Sequence, residues 1–145
     1  MIEIPPEVLS RFLTQAALLR LAPARQHGLN PFQVLTLALI GGTEWLSFKE
    51  VRSSLAMPRS TFFFTVDSLR KKELIDTRQS TKDRRQLFLN LSPKGRELYQ
   101  RMLETEARTI LPVIEGLNET QKAAFLKATK AVMRTARVPG KFVSS

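Results

Sequence analysis

The sequence predicts a mainly α-helical chain with a small β-hairpin wing. It is arranged as a winged helix-turn-helix with N- and C-terminal dimerisation helices. Three observations predict this. Two short amphipathic helices adjoin within residues 47–71, a basic hairpin follows them, and the flanking helices carry more apolar surface than so small a unit can cover.

At 145 residues the chain is expected to be a single domain with a real core. Residues 30–92 would form the winged helix-turn-helix lobe, residues 5–25 and 93–138 the dimerisation lobe, and residues 139–145 a loose tail. The chain has no cysteine, which excludes disulfides, thiolate metal sites and thiol-based sensing. The longest apolar run, Val34 to Gly42, is too short to span a bilayer. Arg11, Gln15 and Arg20 interrupt the first helix, so it does not read as a signal peptide, and a cytoplasmic location with no membrane partner is expected.

The net charge of +10 is unevenly placed. Residues 47–101 hold 13 Lys/Arg against 6 Asp/Glu, a surplus of 7, whereas residues 1–46 hold 3 of each and residues 102–145 hold 7 against 4. A basic lobe of this kind favours a polyanion through phosphate contacts and counterion release. Charge alone would indicate no more than solubility. Charge concentrated on a matching motif indicates double-stranded DNA.

The first helix enters at Pro5-Pro6, lines one face with Leu9, Phe12, Leu13, Ala16 and Leu19, and ends or kinks at Pro23. The only histidine, His27, sits in the following loop; a lone loop histidine is expected to be solvated and is assigned no function. Asn30 and Gln33 make a capping box for a second helix that is apolar nearly all round, hence buried, and Gly41-Gly42 ends it. Trp45 precedes the next helix in a stretch positioned to pair with the wing as a third strand, and core packing at the hinge between two layers is its expected role, ahead of a place in a ligand pocket.

Ser47 and Glu50 form another capping box, after which Phe48, Val51 and Leu55 share one face. The next helix starts near Pro58. Its inward stripe is Phe62, Val66 and Leu69; its outward stripe is Ser60, Phe64, Asp67 and Lys71, with Phe63 on the flank. A strand then begins at Leu74-Ile75. The returning strand alternates Leu87, Leu89 and Leu91 inward with Gln86, Phe88 and Asn90 outward. Between them lies the polar tip Ser80-Thr81-Lys82-Asp83-Arg84-Arg85. Ser92-Pro93 starts a long helix to about Leu117, which Pro112 should kink. Asn118 and Gln121 cap a last helix that Pro139-Gly140 ends.

Two motifs give the chain a family resemblance. The recognition helix has the form P-x-S-T-x(4)-V-D-x-L from Pro58 to Leu69. The wing reads D-R-R-x-L-x-L-x-L-S-P-K-G from Asp83 to Gly95, joining a tip, a strand and a helix start in one register. Here the chain resembles the MarR/SlyA family of bacterial transcriptional regulators. The resemblance implies a homodimer through interlocked terminal helices, one recognition helix per subunit in successive major grooves of a pseudo-palindromic operator, and a repressor's role. It also implies a pocket for a small-molecule effector between the dimer helices and the winged lobe. The residue matching Arg85 is commonly the minor-groove reader, and that matching Asp83 the brace of the wing by ion pairing.

The expected DNA-binding residues of the recognition helix are Arg59, Ser60, Thr61, Phe63, Phe64, Ser68 and Lys71, and those of the wing are Arg78, Lys82, Arg84 and Arg85. Leu9, Phe12, Leu13, Leu111, Ile114, Phe125, Val132 and Met133 are expected in the dimer interface. Phe63 and Phe64 depart from the family, which has polar or basic residues there. Either the rings meet thymine methyls, or the helix is rotated so that one ring is buried, or the surface binds protein, as in a winged-helix interaction module or antirepressor. An enzyme is not expected. There is one histidine, no cysteine, no spaced carboxylate pair, no nucleophile elbow and no phosphate loop. No cofactor or metal is expected.

Overall fold

The computed structural model describes residues 1–136. Six α-helices and three strands follow one another as α1 (Pro6–Leu21), a 3₁₀ turn (Ala22–His27), α2 (Pro31–Gly41), β1 (Leu46–Ser47), α3 (Phe48–Ser54), α4 (Arg59–Lys71), β2 (Ile75–Gln79), β3 (Leu87–Leu91), α5 (Pro93–Glu115) and α6 (Glu119–Thr135). The proposed end of the last helix at Pro139-Gly140, and the tail, lie outside the described residues. The first helix is shorter than the expected span of residues 5–25. It stops at Leu21, and Pro23 falls in the 3₁₀ turn that follows. Gly28, at φ +65, turns the chain toward α2.

Three capping boxes form as the residue spacing requires. Asn30 with Gln33, Ser47 with Glu50, and Asn118 with Gln121 each exchange two side chain–backbone hydrogen bonds. Pro58 is the residue before α4, with extended backbone, and not its first helical residue. Pro112 lies one turn before α5 ends at Glu115.

The sheet is antiparallel in the order β1-β3-β2. Leu46 and Ser47 pair with Leu89 and Phe88, so the stretch after Trp45 does form the third strand. Arg78 pairs with Phe88, and Ile75 with Leu91. The wing begins at Ile75. Leu74, expected in the strand, is instead a buried residue of the turn, its N–H donating to the Leu69 carbonyl.

The core lies under the winged lobe. Val34, Leu37 and Ile40 of α2, Val51 of α3, Phe62, Val66 and Leu69 of α4, and Leu89 and Leu91 of β3 are all nearly or fully excluded from solvent. The α5 helix joins this core through Leu98 and Met102. Its start is locked to the end of α4. The Ser92 hydroxyl caps Gly95 N–H and donates to the Glu73 carbonyl, and Ser92 N–H donates to the Leu74 carbonyl. A methyl group on Gly95 would overlap that Leu74 carbonyl, so the S-P-K-G segment is a close backbone crossing.

The expected solvated state of His27 is not observed. It is half-buried, and its Nε2 is shielded from solvent without a hydrogen-bond partner, because the 3₁₀ turn folds the ring inward.

Candidate nucleic-acid interface

The α4 helix presents one apolar and one exposed face, in the register expected. Phe62 is fully buried and meets the Phe48 ring at 4.6 Å between centroids. Phe63 and Phe64 remain 57% and 71% exposed, which excludes the rotated helix that would have buried one of them. Their rings touch edge to face at 6.3 Å. Arg59, Ser60, Thr61 and Lys71 are also exposed, and Lys71 forms an ion pair with Asp67 at 2.9 Å.

Ser68 departs from its expected place. Its hydroxyl accepts a hydrogen bond of 2.8 Å from Nε2 of the buried Gln33, which draws it toward α2. Gln33 thus has two tasks: its Oε1 accepts the Asn30 N–H in the capping box, and its amide N–H₂ ties α2 to α4.

The wing tip is a built turn. The Ser80 hydroxyl accepts N–H bonds from Lys82 and Asp83, and Ser80 N–H donates to the Gln86 carbonyl. Asp83 braces this turn, but not by the ion pairing that the resemblance implies, since it forms no ion pair among the described residues. Its Oδ1 accepts the backbone N–H of Arg85 at 2.9 Å, as a short carboxylate two residues before an N–H readily does. The guanidinium of Arg85 is therefore left to other partners. Lys82, Arg84 and Arg85 are all exposed.

Between wing and helices lies a groove of about 590 Å³. Arg59 and Phe63 of α4, Arg85 of the tip and Phe88 of β3 line it, and α3 adds Lys49 and Arg52. Four cations face one carboxylate, Glu50, whose Oε2 is held by the Ser47 N–H. A groove charged in this sense attracts phosphate. Lys49, Arg52 and Phe88 were missed as site residues by sequence reasoning. The available signal was the spacing of three between Lys49 and Arg52, which puts both on one face of α3.

Arg78 is not in that groove. Its guanidinium carbon lies 4.2 Å from the centroid of the Trp45 ring and 5.9 Å from that of Phe88. Trp45 is half-buried on the sheet and is not a core residue.

The architecture recurs in solved structures. Apo MarR from E. coli superposes with a TM-score of 0.73, covering 92% of this chain and 99% of that one at 16% sequence identity. The chain has the MarR-family fold. No protein-family model matches it. Two relatives from Bacillus subtilis (strain 168), the HTH-type transcriptional regulators YkoM and MhqR, are 26% identical over 101 residues and 27% identical over 96. Those matches take in 68% and 66% of this chain but 64% and 66% of the relatives, so the chain spans just under two-thirds of the length of each. The MarR resemblance read from the recognition helix and wing therefore extends to the fold as a whole.

The terminal helices carry their expected apolar residues on open faces. No residue of α1 or of α6 is buried. Leu9, Phe12, Leu13, Leu111, Phe125 and Val132 are between 40% and 63% exposed, and Ile114 and Met133 are half-exposed. Among the described residues no helix is long and apolar enough to cross a membrane.

Proposed function

We propose that the protein is a dimeric, MarR-like regulator of transcription that binds double-stranded DNA. One observation carries the reading: an exposed recognition helix and an ordered basic wing tip frame one cationic groove, with Arg59 and Arg85 on opposite sides. In this reading α4 enters the major groove, where base edges are distinguishable, and Arg59, Ser60, Thr61 and Lys71 meet base edges or phosphates. Arg85 reaches the minor groove, and Lys82 and Arg84 contact phosphates. Phe63 and Phe64, lacking hydrogen-bonding groups, pack on thymine methyls.

The unburied apolar faces of α1, α5 and α6 support the dimer. Exposed patches of this kind usually mark an interface, and a two-fold pair places two recognition helices one duplex turn apart. Repression, and relief by a small effector seated between the dimer helices and the winged lobe, extend the same reading by resemblance. A second reading rests on the same exposed rings. Phe63 and Phe64 would also suit a protein partner, making the winged helix an interaction module or antirepressor.

Electrophoretic mobility shift on genomic fragments at two salt concentrations separates the two. DNA binding that weakens steeply with salt supports the regulator. A purified protein that shifts no fragment at low salt rules it out.

A further inference from the structure

The wing's Arg78 is exposed and basic, yet it does not line the cationic groove and has no carboxylate partner among the described residues. Its guanidinium stacks on Trp45 at 4.2 Å and reaches Phe88 at 5.9 Å. These three residues span the whole sheet. Trp45 leads into β1, Phe88 is on β3 paired with Ser47, and Arg78 is on β2 paired with Phe88. The pair after Arg78↔Phe88 is Gln79↔Leu87, the last before the tip. Phe88 also lines the groove that holds Arg85. The stack therefore sits where the tip leaves the sheet.

A guanidinium over an indole face is held by the ring quadrupole and by planar stacking, and it has fewer solvated positions from which to reach a phosphate. We infer that Arg78 is a positioning residue: by clamping β2 to Trp45 across Phe88, it sets the angle at which the wing tip presents Arg85 to DNA. The inference rests on the DNA-binding reading above. Trp45 is the chain's only tryptophan, so its emission reports the clamp directly.

The test uses the full-length protein and a fluorescein-labelled duplex of mixed sequence, titrated by anisotropy over a series of salt concentrations. Arg78→Ala and Trp45→Leu should each weaken binding about two- to tenfold, the range a partly exposed cation–π contact supports. Neither should change the slope of log affinity against log salt. The double variant should be no weaker than either single one, and Trp45→Phe should fall between Trp45→Leu and the unaltered protein. Arg78→Ala should also shift the Trp45 emission maximum. Circular dichroism checks folding; if Trp45→Leu does not fold, Arg78→Ala and Trp45→Phe suffice.

The inference is overturned if Arg78→Ala lowers the salt slope by about one unit while the Trp45 variants bind normally, since Arg78 would then be a phosphate contact. It is overturned equally if Arg78→Ala binds like the unaltered protein. A failure of the unaltered protein to bind any duplex is a different result. It removes the DNA-binding reading, and the positioning role falls with it.

Discussion

Three consecutive phenylalanines on α4 have opposite fates, and the helical repeat decides which. Phe62 lies on the stripe shared with Val66 and Leu69 and is wholly buried against Phe48. Phe62→Ala should cost about 3–5 kcal/mol of stability, measured by chemical denaturation, because the vacated volume cannot fully collapse. Phe64→Ala should stay within about 0.5 kcal/mol of the parent, as an exposed ring contributes little to the core. Its effect belongs to binding. If the ring meets a thymine methyl, replacing that thymine by uracil should weaken the parent protein modestly and leave Phe64→Ala unaffected. Equal sensitivity of both proteins to the missing methyl would place the contact elsewhere. The inward stripe of α4 was legible because a period of 3.6 sorts core from surface. Ser68 was not, because its partner Gln33 is 35 residues away and sequence spacing carries no such information.

At the scale of elements, the wing divides between built geometry and free charge. Asp83 and Ser80 spend their side-chain oxygens on backbone N–H groups, so the tip holds its shape without consuming a cation. Arg85→Ala should therefore lose about 1–3 kcal/mol of binding to a preferred site, while Lys82→Ala should weaken all sequences alike and lower the salt slope by about one unit. Anisotropy titrations on preferred and scrambled duplexes read both effects. The crossing of α5 over the end of α4 is a second built element. Gly95→Ala should destabilise the fold by several kcal/mol, on the order of other backbone clashes in packed sites, because the Leu74 carbonyl leaves no room. Thermal unfolding tests this, and an unchanged midpoint would contradict the close approach. The wing's strands, its tip and the capping boxes were readable as local patterns. The Arg78–Trp45 stack was not, since the pairing of β1 and β2 to either side of β3 brings together residues 33 apart in sequence whose contact only the three-stranded sheet creates.

For the whole molecule, the surfaces of α1 and α6 and the groove beside the wing have to be explained together. A chain of 16.5 kDa in which neither α1 nor α6 buries a residue is expected to find that burial in a second copy. Sedimentation equilibrium should return about twice the chain mass, and a well-folded monomer at micromolar concentration would remove the two-fold arrangement. Amphipathic stripes on the terminal helices were legible in the sequence, but what covers them is not a property of one chain. The most direct test joins assembly to recognition. Hydroxyl-radical footprinting on a fragment selected from genomic DNA should show two protected patches about one helical turn, roughly 10 base pairs, apart, one for each recognition helix and wing of a two-fold dimer. A single patch, or uniform cleavage at concentrations that saturate the shift, would contradict the account.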